Sequence, residues 1–255
     1  MIPESFAQGD SLIHTIDPRL KIISALLYSL VIALSSSITI LFAGLAISSG
    51  LVLAARLPII EVLKRLSVLI GFLVLIWLLM PLTYPGETIR GFSIIKLSLP
   101  GLILALQISL KSTAILLAMM ALTATMPLGT LGHALRKLGL PIKLVYLLMI
   151  TYRYLFVFEQ AYQRLLRAAR VRGFTPGTNL HSYRTYAYLI GMLVVQAWSR
   201  ANRVSNAMKC RGFNGKFYSL LDFQPNPKDW YFGLLMSFII VTLATMELWN
   251  HLDIS

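Results

Sequence analysis

The sequence predicts an all-α integral membrane protein with about five transmembrane helices and two long basic cytoplasmic helices. Of its 255 residues, 57% are hydrophobic and 13% are charged, whereas a soluble domain has roughly 45–50% apolar and about 25% charged residues. A mean hydropathy of +0.73 also excludes a basic soluble protein of the nucleic-acid-binding kind, although the net charge is +13. The predicted setting is therefore a lipid bilayer, with no nucleic-acid partner.

Five apolar runs approach the roughly 20 residues that a helix needs to cross a hydrocarbon core of about 30 Å. The first is predicted to begin at Asp17 and Pro18, because Asp caps free helix N–H groups and Pro suits the first helical position. The first two runs are short and flank three serines, which favours a helical hairpin over 20–55, although one kinked helix is also open. The five runs are residues 20–35, 38–55, 67–82, 101–125 and 230–249.

Basic residues cluster in alternate loops between these runs, which predicts the orientation of the chain. Cytoplasmic loops of membrane proteins carry an excess of Lys and Arg. The loop over 83–100 has only two basic residues and the tail after 249 has none. We therefore expect a multi-pass protein of the cell inner (plasma) membrane with a cytoplasmic N-terminus and an external C-terminus. The basic residues near the cytoplasmic ends are Arg19, Lys21, Arg56, Lys64, Arg65, Arg136, Lys137 and Lys143.

The segment over 139–226 carries most of the positive charge. From Arg153 to Lys216 there are eleven basic residues and one acid, Glu159, which accounts for +10 of the total +13. Two helical stretches, 141–172 and 183–211, are apolar in their first halves and basic in their second halves. Attraction to anionic lipid headgroups is one explanation of this charge.

These features divide the chain into three predicted parts. Residues 1–138 hold the N-terminal transmembrane helices, residues 139–226 form a cytoplasmic region with two helices, and residues 227–255 hold the last transmembrane helix and the tail. No cleavable signal peptide is predicted, because the first 20 residues are polar and mixed in charge.

A seven-residue element occurs twice in the basic region, 39 residues apart. Residues 168–174 and 207–213 share the pattern Ala, any residue, a basic residue, any residue, Arg, Gly, Phe. Glycine suits the left-handed residue that ends a helix, so two ordinary helix C-caps are one interpretation. The other is that two like helix ends, each with an exposed arginine, bind two like sites on a symmetric partner. The paired positions are Arg170 and Lys209, Arg172 and Arg211, and Gly173 and Gly212.

These residues resemble the transmembrane T component of energy-coupling factor (ECF) transporters, a class of ABC transporter, and most of all the CbiQ-like T subunit of cobalt and nickel importers. That family has two Ala-Arg-Gly motifs at the ends of two coupling helices. The matching residues here are Arg172-Gly173 and Arg211-Gly212, each preceded by a residue other than alanine. The segment 14–21 is similar to the N-terminal signature of the family, and 135–141 to its entry into the coupling region.

The resemblance implies a coupling subunit that is not an enzyme. Its partners would be two ABC ATPase subunits and a substrate-binding membrane subunit, the S component, to which it would pass ATP-driven movement. ATP and Mg would bind to the ATPase subunits and no cofactor to this chain, which has no Gly-x-x-x-x-Gly-Lys-Ser/Thr phosphate-binding loop. The implied ATPase-coupling residues are Arg170, Arg172, Gly173, Lys209, Arg211 and Gly212.

Lys111 lies in the middle of the run over 101–125, where an ionisable side chain is costly and suggests a function. It is predicted either to pair within the protein or snorkel to the membrane surface, or to contact the S component. No metal site is predicted, because the four histidines are scattered and none lies at ligand spacing from Cys210 or a carboxylate.

Two functions of other classes are weighed against this one. A membrane enzyme acting on lipid phosphates needs metal-binding aspartates or a His–Asp pair, which the spacing of Asp222 and Asp229 does not offer. A stand-alone carrier would be expected to have inverted repeats with broken helices. The cargo is not identified: the loop over 221–230 favours cobalt or nickel, while vitamin-type T components share the arginine motifs.

Overall fold

The computed structural model describes residues 11, 13–84, 98–215 and 227–254, and eight α-helices lie in these ranges. Most of the loop predicted at 83–100, and all of the segment 216–226 with Lys216 and Asp222, lie outside the described residues. The helices are α1 (Pro18–Leu34), α2 (Ile38–Ala54), α3 (Ile59–Thr83), α4 (Leu99–Leu122), α5 (Leu128–Lys137), α6 (Ile142–Val171), α7 (Leu180–Cys210) and α8 (Pro227–Ile254).

The predicted all-α membrane architecture is confirmed. The five apolar runs correspond to α1, α2, α3, α4 and α8, and the two basic stretches correspond to α6 and α7. Among the described helices, α3, α4 and the Asp229–Trp249 part of α8 are long and apolar enough to cross a membrane, while α2 is a shorter apolar helix. The short helix α5 was not predicted, because ten residues are fewer than an apolar periodicity needs to stand out.

The start of α1 is the one that its sequence predicts. The Asp17 carboxylate accepts a hydrogen bond from the backbone N–H of Arg19 at 2.9 Å, and Pro18 takes the first helical position. Arg19 and Lys21 lie in the first turn of α1 rather than before it, and the Lys21 side chain is buried at 1% exposure. The cap thus fixes where the first helix begins.

α1 and α2 form a hairpin, which decides between the two alternatives for this segment. The Tyr28 hydroxyl of α1 donates a hydrogen bond to the Gly44 carbonyl of α2 at 2.6 Å. In one continuous helix these residues would lie about 24 Å apart at 1.5 Å per residue. The three serines at 35–37 therefore make a turn between two helices.

The chain divides into two compact units, and the first comprises residues up to 131 together with the C-terminal segment from 223. Within its described part, α4 packs on α1, α2 and α3, and α8 packs on α1 and α2. α3 packs on α4 alone among the described helices, and its other side is exposed, as at Val68, Phe72 and Leu78. Such an apolar outer surface is what a bilayer requires.

The second unit comprises residues 132–222, of which the structure describes 132–215. It contains most of α5 and the two long helices α6 and α7, with 30 and 31 residues. These helices pack on each other. The boundaries predicted at 138/139 and 226/227 stay predictions.

Candidate functional site

The C-terminus of α6 ends in a Schellman cap built from the first copy of the repeated element. Gly173 has a φ of +85°, and its N–H donates to the Arg170 carbonyl at 3.0 Å. The N–H of Phe174 donates to the Ala169 carbonyl at 3.1 Å. These two bonds satisfy carbonyls that a helix end otherwise leaves without partners, and they require a left-handed residue at Gly173.

The C-terminus of α7 repeats this geometry in the second copy. Gly212 has a φ of +78°, its N–H donates to the Lys209 carbonyl at 3.0 Å, and the N–H of Phe213 donates to the Met208 carbonyl at 3.0 Å. The C-cap interpretation is thus correct for the backbone. It explains why glycine occupies positions 173 and 212. It does not explain why arginine precedes each glycine, because that depends on what the arginine side chains contact.

Both arginine side chains lie on the outside of these caps. Arg172 and Arg211 are the C-cap residues themselves, and both are exposed, as are Arg170 and Lys209 two residues earlier. Within the part of the chain that the structure describes, no acidic side chain pairs with either arginine. Each cap therefore presents a charged guanidinium that is available to a partner.

The first cap is held by an apolar contact between α6 and α7. Phe174 is buried and packs with Leu166 of α6 and Leu189 of α7. Its ring meets that of Tyr186 edge to face, with 5.5 Å between centroids. The C-terminal end of α6 thus lies against the N-terminal half of α7.

The second cap borders a groove between the same two helices. This groove of about 700 Å³ is lined by residues of α6 within 150–158, by residues of α7 within 197–209, and by Phe213. α6 and α7 are therefore antiparallel where they meet, and the two caps lie at opposite ends of the pair. Because the first cap faces α7 near Thr185, Arg172 and Arg211 are separated by about 40 Å along α7 at 1.5 Å per residue.

Lys111, the other residue singled out by sequence, has an acceptor inside the first unit. Its ammonium donates to the Ala33 carbonyl at 2.9 Å, and Gln107, one turn earlier on α4, donates to the Ser36 carbonyl at 2.7 Å. A cation near the last carbonyls of α1 is favourable because they carry partial negative charge. This geometry is the internal pairing that the sequence analysis considered; contact with an S component stays a prediction.

Two acidic residues of α8 make long-range contacts that the sequence did not predict. Glu247 of α8 accepts hydrogen bonds from the serine turn at 35–37. Asp229, also on α8, accepts the backbone N–H of Asp17 at 2.8 Å. The sequence does contain a signal for these contacts, because each residue is a lone acid in or beside an apolar run. A charged carboxylate in a membrane is energetically costly unless it has a partner.

The sequence of this chain is similar to those of known transporter proteins. Residues 9–219 match the family model of CbiQ, described as "Cobalt transport protein". The chain is 28% identical to the "Energy-coupling factor transporter transmembrane protein EcfT" of Bacillus subtilis over 84% of this chain and 85% of the relative. It is 28% identical to the EcfT of Leuconostoc gelidum over 96% and 97%, and 25% identical to that of Acidaminococcus fermentans over 81% of each chain.

Proposed function

Because this chain belongs to the CbiQ family of transmembrane T components of ECF transporters, we propose that it couples two ABC ATPase subunits to a substrate-binding S component. The observation that carries this proposal is the pair of matched caps with exposed Arg172 and Arg211. Two equal contacts suit a partner that offers two equal sites by symmetry, as an ATPase dimer does. Guanidinium groups suit such contacts because they make several directed bonds to carboxylates and carbonyls.

The proposed coupling residues are the exposed side chains and the glycines that shape the two caps. Arg172 and Arg211 are proposed to make the charged contacts, with Arg170 and Lys209 adding charge two residues earlier. Gly173 and Gly212 are proposed to hold the arginines in place through their left-handed backbone. The chain itself is proposed to be non-catalytic, with ATP and Mg bound by the ATPase subunits.

The proposed cargo is cobalt or nickel, bound by the S component rather than by this chain. The support is the description of the matched family as a cobalt transport protein. The EcfT relatives carry no cargo in their names, so a vitamin-type T component is the alternative. Identification of the S component that co-purifies with the chain distinguishes the two.

We propose further that α6 and α7 act as one stiff lever. Their antiparallel contact places the two arginines far apart, so each can engage a different ATPase subunit. Spin labels at Thr175 and Asn214, next to the two caps, would report their separation in the assembled transporter. Trapping the transporter with ATP is expected to change that distance, or to move both labels together relative to α1–α4. If neither changes while transport proceeds, the two helices bind the ATPase subunits without transmitting their movement.

The decisive experiment is the double substitution Arg172→Glu, Arg211→Glu in the complete transporter. Charge-assisted bonds are worth about 1.5–3 kcal/mol each, so we expect loss of ATPase co-purification and of ATP-driven uptake. The matched control is Arg167→Glu, Arg203→Glu, which makes the same charge change at one exposed arginine on each helix.

Normal assembly and uptake in the motif double variant would refute the docking proposal. An equal loss in the control would show that total charge, as in binding to an anionic leaflet, matters rather than position. A stand-alone carrier would keep transporting without any ATPase, and a lipid-phosphate enzyme would form product from phospholipid diphosphates without one.

A further inference from the structure

An apolar groove runs between α3 and α4 on the surface of the first unit. Its volume is about 670 Å³, and α4 lines it with residues spaced three or four apart from Ser112 to Met120, followed by Thr123 and Ala124 just past the end of α4. α3 contributes Leu69 and, as the one charged residue of the lining, Arg65. The groove is therefore amphipathic, with a long apolar wall and a single cation.

The length of the groove suits one acyl chain. Ser112 lies ten residues before Leu122, the last residue of α4, which is about 15 Å along the helix at 1.5 Å per residue, and Ala124 continues the lining beyond the helix end. One leaflet contributes about half of a hydrocarbon core of about 30 Å. The hydroxyl of Ser112 donates to the Ile108 carbonyl of its own helix at 2.6 Å, so the groove at that end presents little polarity to a lipid tail.

The cation lies at one end of the groove. Val62, one turn before Arg65 on α3, packs in the same cluster as Met120 and Ala121 of α4. This contact places Arg65 beside the Met119–Ala124 end of the lining. Arg65 is exposed and already makes contacts within the protein, but a guanidinium has five N–H donors and retains capacity for a phosphate.

We propose that this groove binds one anionic phospholipid, with an acyl chain along α4 and its phosphate at Arg65. The charge decides the occupant, because a cation at the end of an apolar groove complements an amphiphile with an anionic head. Among the described helices, α3 packs on α4 alone. A lipid in the groove would contact both helices and so reinforce the packing of α3 on α4. This proposal is independent of the coupling proposed for α6 and α7.

The test measures lipid retained by the full-length protein after extraction from vesicles of phosphatidylglycerol and phosphatidylcholine, by native mass spectrometry. Arg65→Gln is expected to lower bound phosphatidylglycerol about tenfold, because a charge-assisted contact is lost. Ala124→Phe, which fills the groove without changing charge, is expected to lower it as well. Arg65→Lys should retain an intermediate amount of phosphatidylglycerol, because lysine keeps the positive charge but lacks the planar guanidinium that can donate two parallel hydrogen bonds to a phosphate.

Lys64→Gln is the matched control, because Lys64 is exposed beside Arg65 and does not line the groove. Its phosphatidylglycerol retention is expected to equal that of the unchanged protein. An equal fall in this control would show diffuse surface attraction and overturn the proposal. Equal retention of both lipids by all variants, or occupation of the groove by a second copy or by the S component, would overturn it too.

Discussion

The Glu247 carboxylate accepts a hydrogen bond from the Ser35 hydroxyl at 2.6 Å, although the two residues are 212 positions apart. The same carboxylate accepts the Ser36 N–H at 2.8 Å and the Ser36 and Ser37 hydroxyls, both at 3.1 Å. An acid near the N-terminus of α2 also complements the positive end of that helix. α8 thereby fastens the turn of the α1–α2 hairpin.

Glu247→Ala is expected to weaken the contact between α8 and the turn at 35–37. Four hydrogen bonds lose their acceptor, and because the turn is partly exposed we expect a total loss of about 2 kcal/mol in the free energy of unfolding. The measurement is the Tm of the purified protein in detergent. Thr245→Ala is the control, since among the described residues this exposed hydroxyl bonds the Thr242 carbonyl of its own helix and nothing on another helix; equal Tm shifts in the two variants would contradict the prediction.

Lys111→Met separates the two roles weighed for that residue. If the lysine pairs with the Ala33 carbonyl as the structure places it, the isolated protein should lose about 1 kcal/mol of stability and keep its S component. Gln107→Leu, which removes the neighbouring bond to Ser36, should lower Tm by a similar amount. An unchanged Tm together with loss of the S component would favour direct contact instead.

Alanine at the two cap glycines should be destabilising, while alanine at a third glycine should not. Gly173→Ala and Gly212→Ala place a side chain at a φ near +80°, which costs about 1–2 kcal/mol each. Within the described part of the chain, no atom beyond the adjoining backbone lies within 4 Å of the added methyl group at either position, so the cost comes from backbone strain. Gly191→Ala, within α7 and equally uncrowded, should stabilise by about 0.5–1 kcal/mol. Shifts of Tm in one direction for all three would refute this.

The proposed orientation is tested by cysteine labelling from each side of the membrane. Cys210 is exposed and must first be replaced by serine. A cysteine at Thr178 should then react with an impermeant maleimide only from the cytoplasmic side, and one at Ser255 only from outside. A permeant maleimide, which should label both, serves as the control. Labelling of Thr178 from outside would reject the cytoplasmic assignment of α6 and α7.

Helix positions were predictable where the cause is local. The Asp17 cap is a short-range signal, and α6 was placed within one residue at each end. By contrast, α3 begins at Ile59 rather than near residue 67. Hydropathy detects the lipid-facing part of a helix, whereas Glu61, Lys64 and Arg65 are good helix formers that extend it into the polar region.

Only those features of the candidate site that depend on neighbouring residues in the chain were predictable from the sequence. The repeated Arg-Gly-Phe pattern indicated two matched helix ends, because a left-handed residue after a helix leaves a sequence signature. The partners of Lys111 and Glu247 depend on how α4 and α8 meet the turn at 35–37, and no local pattern specifies that. The separation of Arg172 and Arg211 likewise follows from antiparallel packing, which each helix alone does not reveal.

The lengths of the helices have a consequence for the surrounding lipid. α1 and α2 have 17 residues each, about 25 Å, whereas α3 and α4 have 25 and 24, about 36 Å. The outer side of the hairpin, with Leu34 and Phe42 exposed, is thus shorter than a typical hydrocarbon core. Lipids are expected to compress beside the hairpin and not beside α3, at a cost of fractions of a kcal/mol per Å. The protein should therefore impose a gradient of bilayer thickness around itself and favour short-chain lipids on one flank.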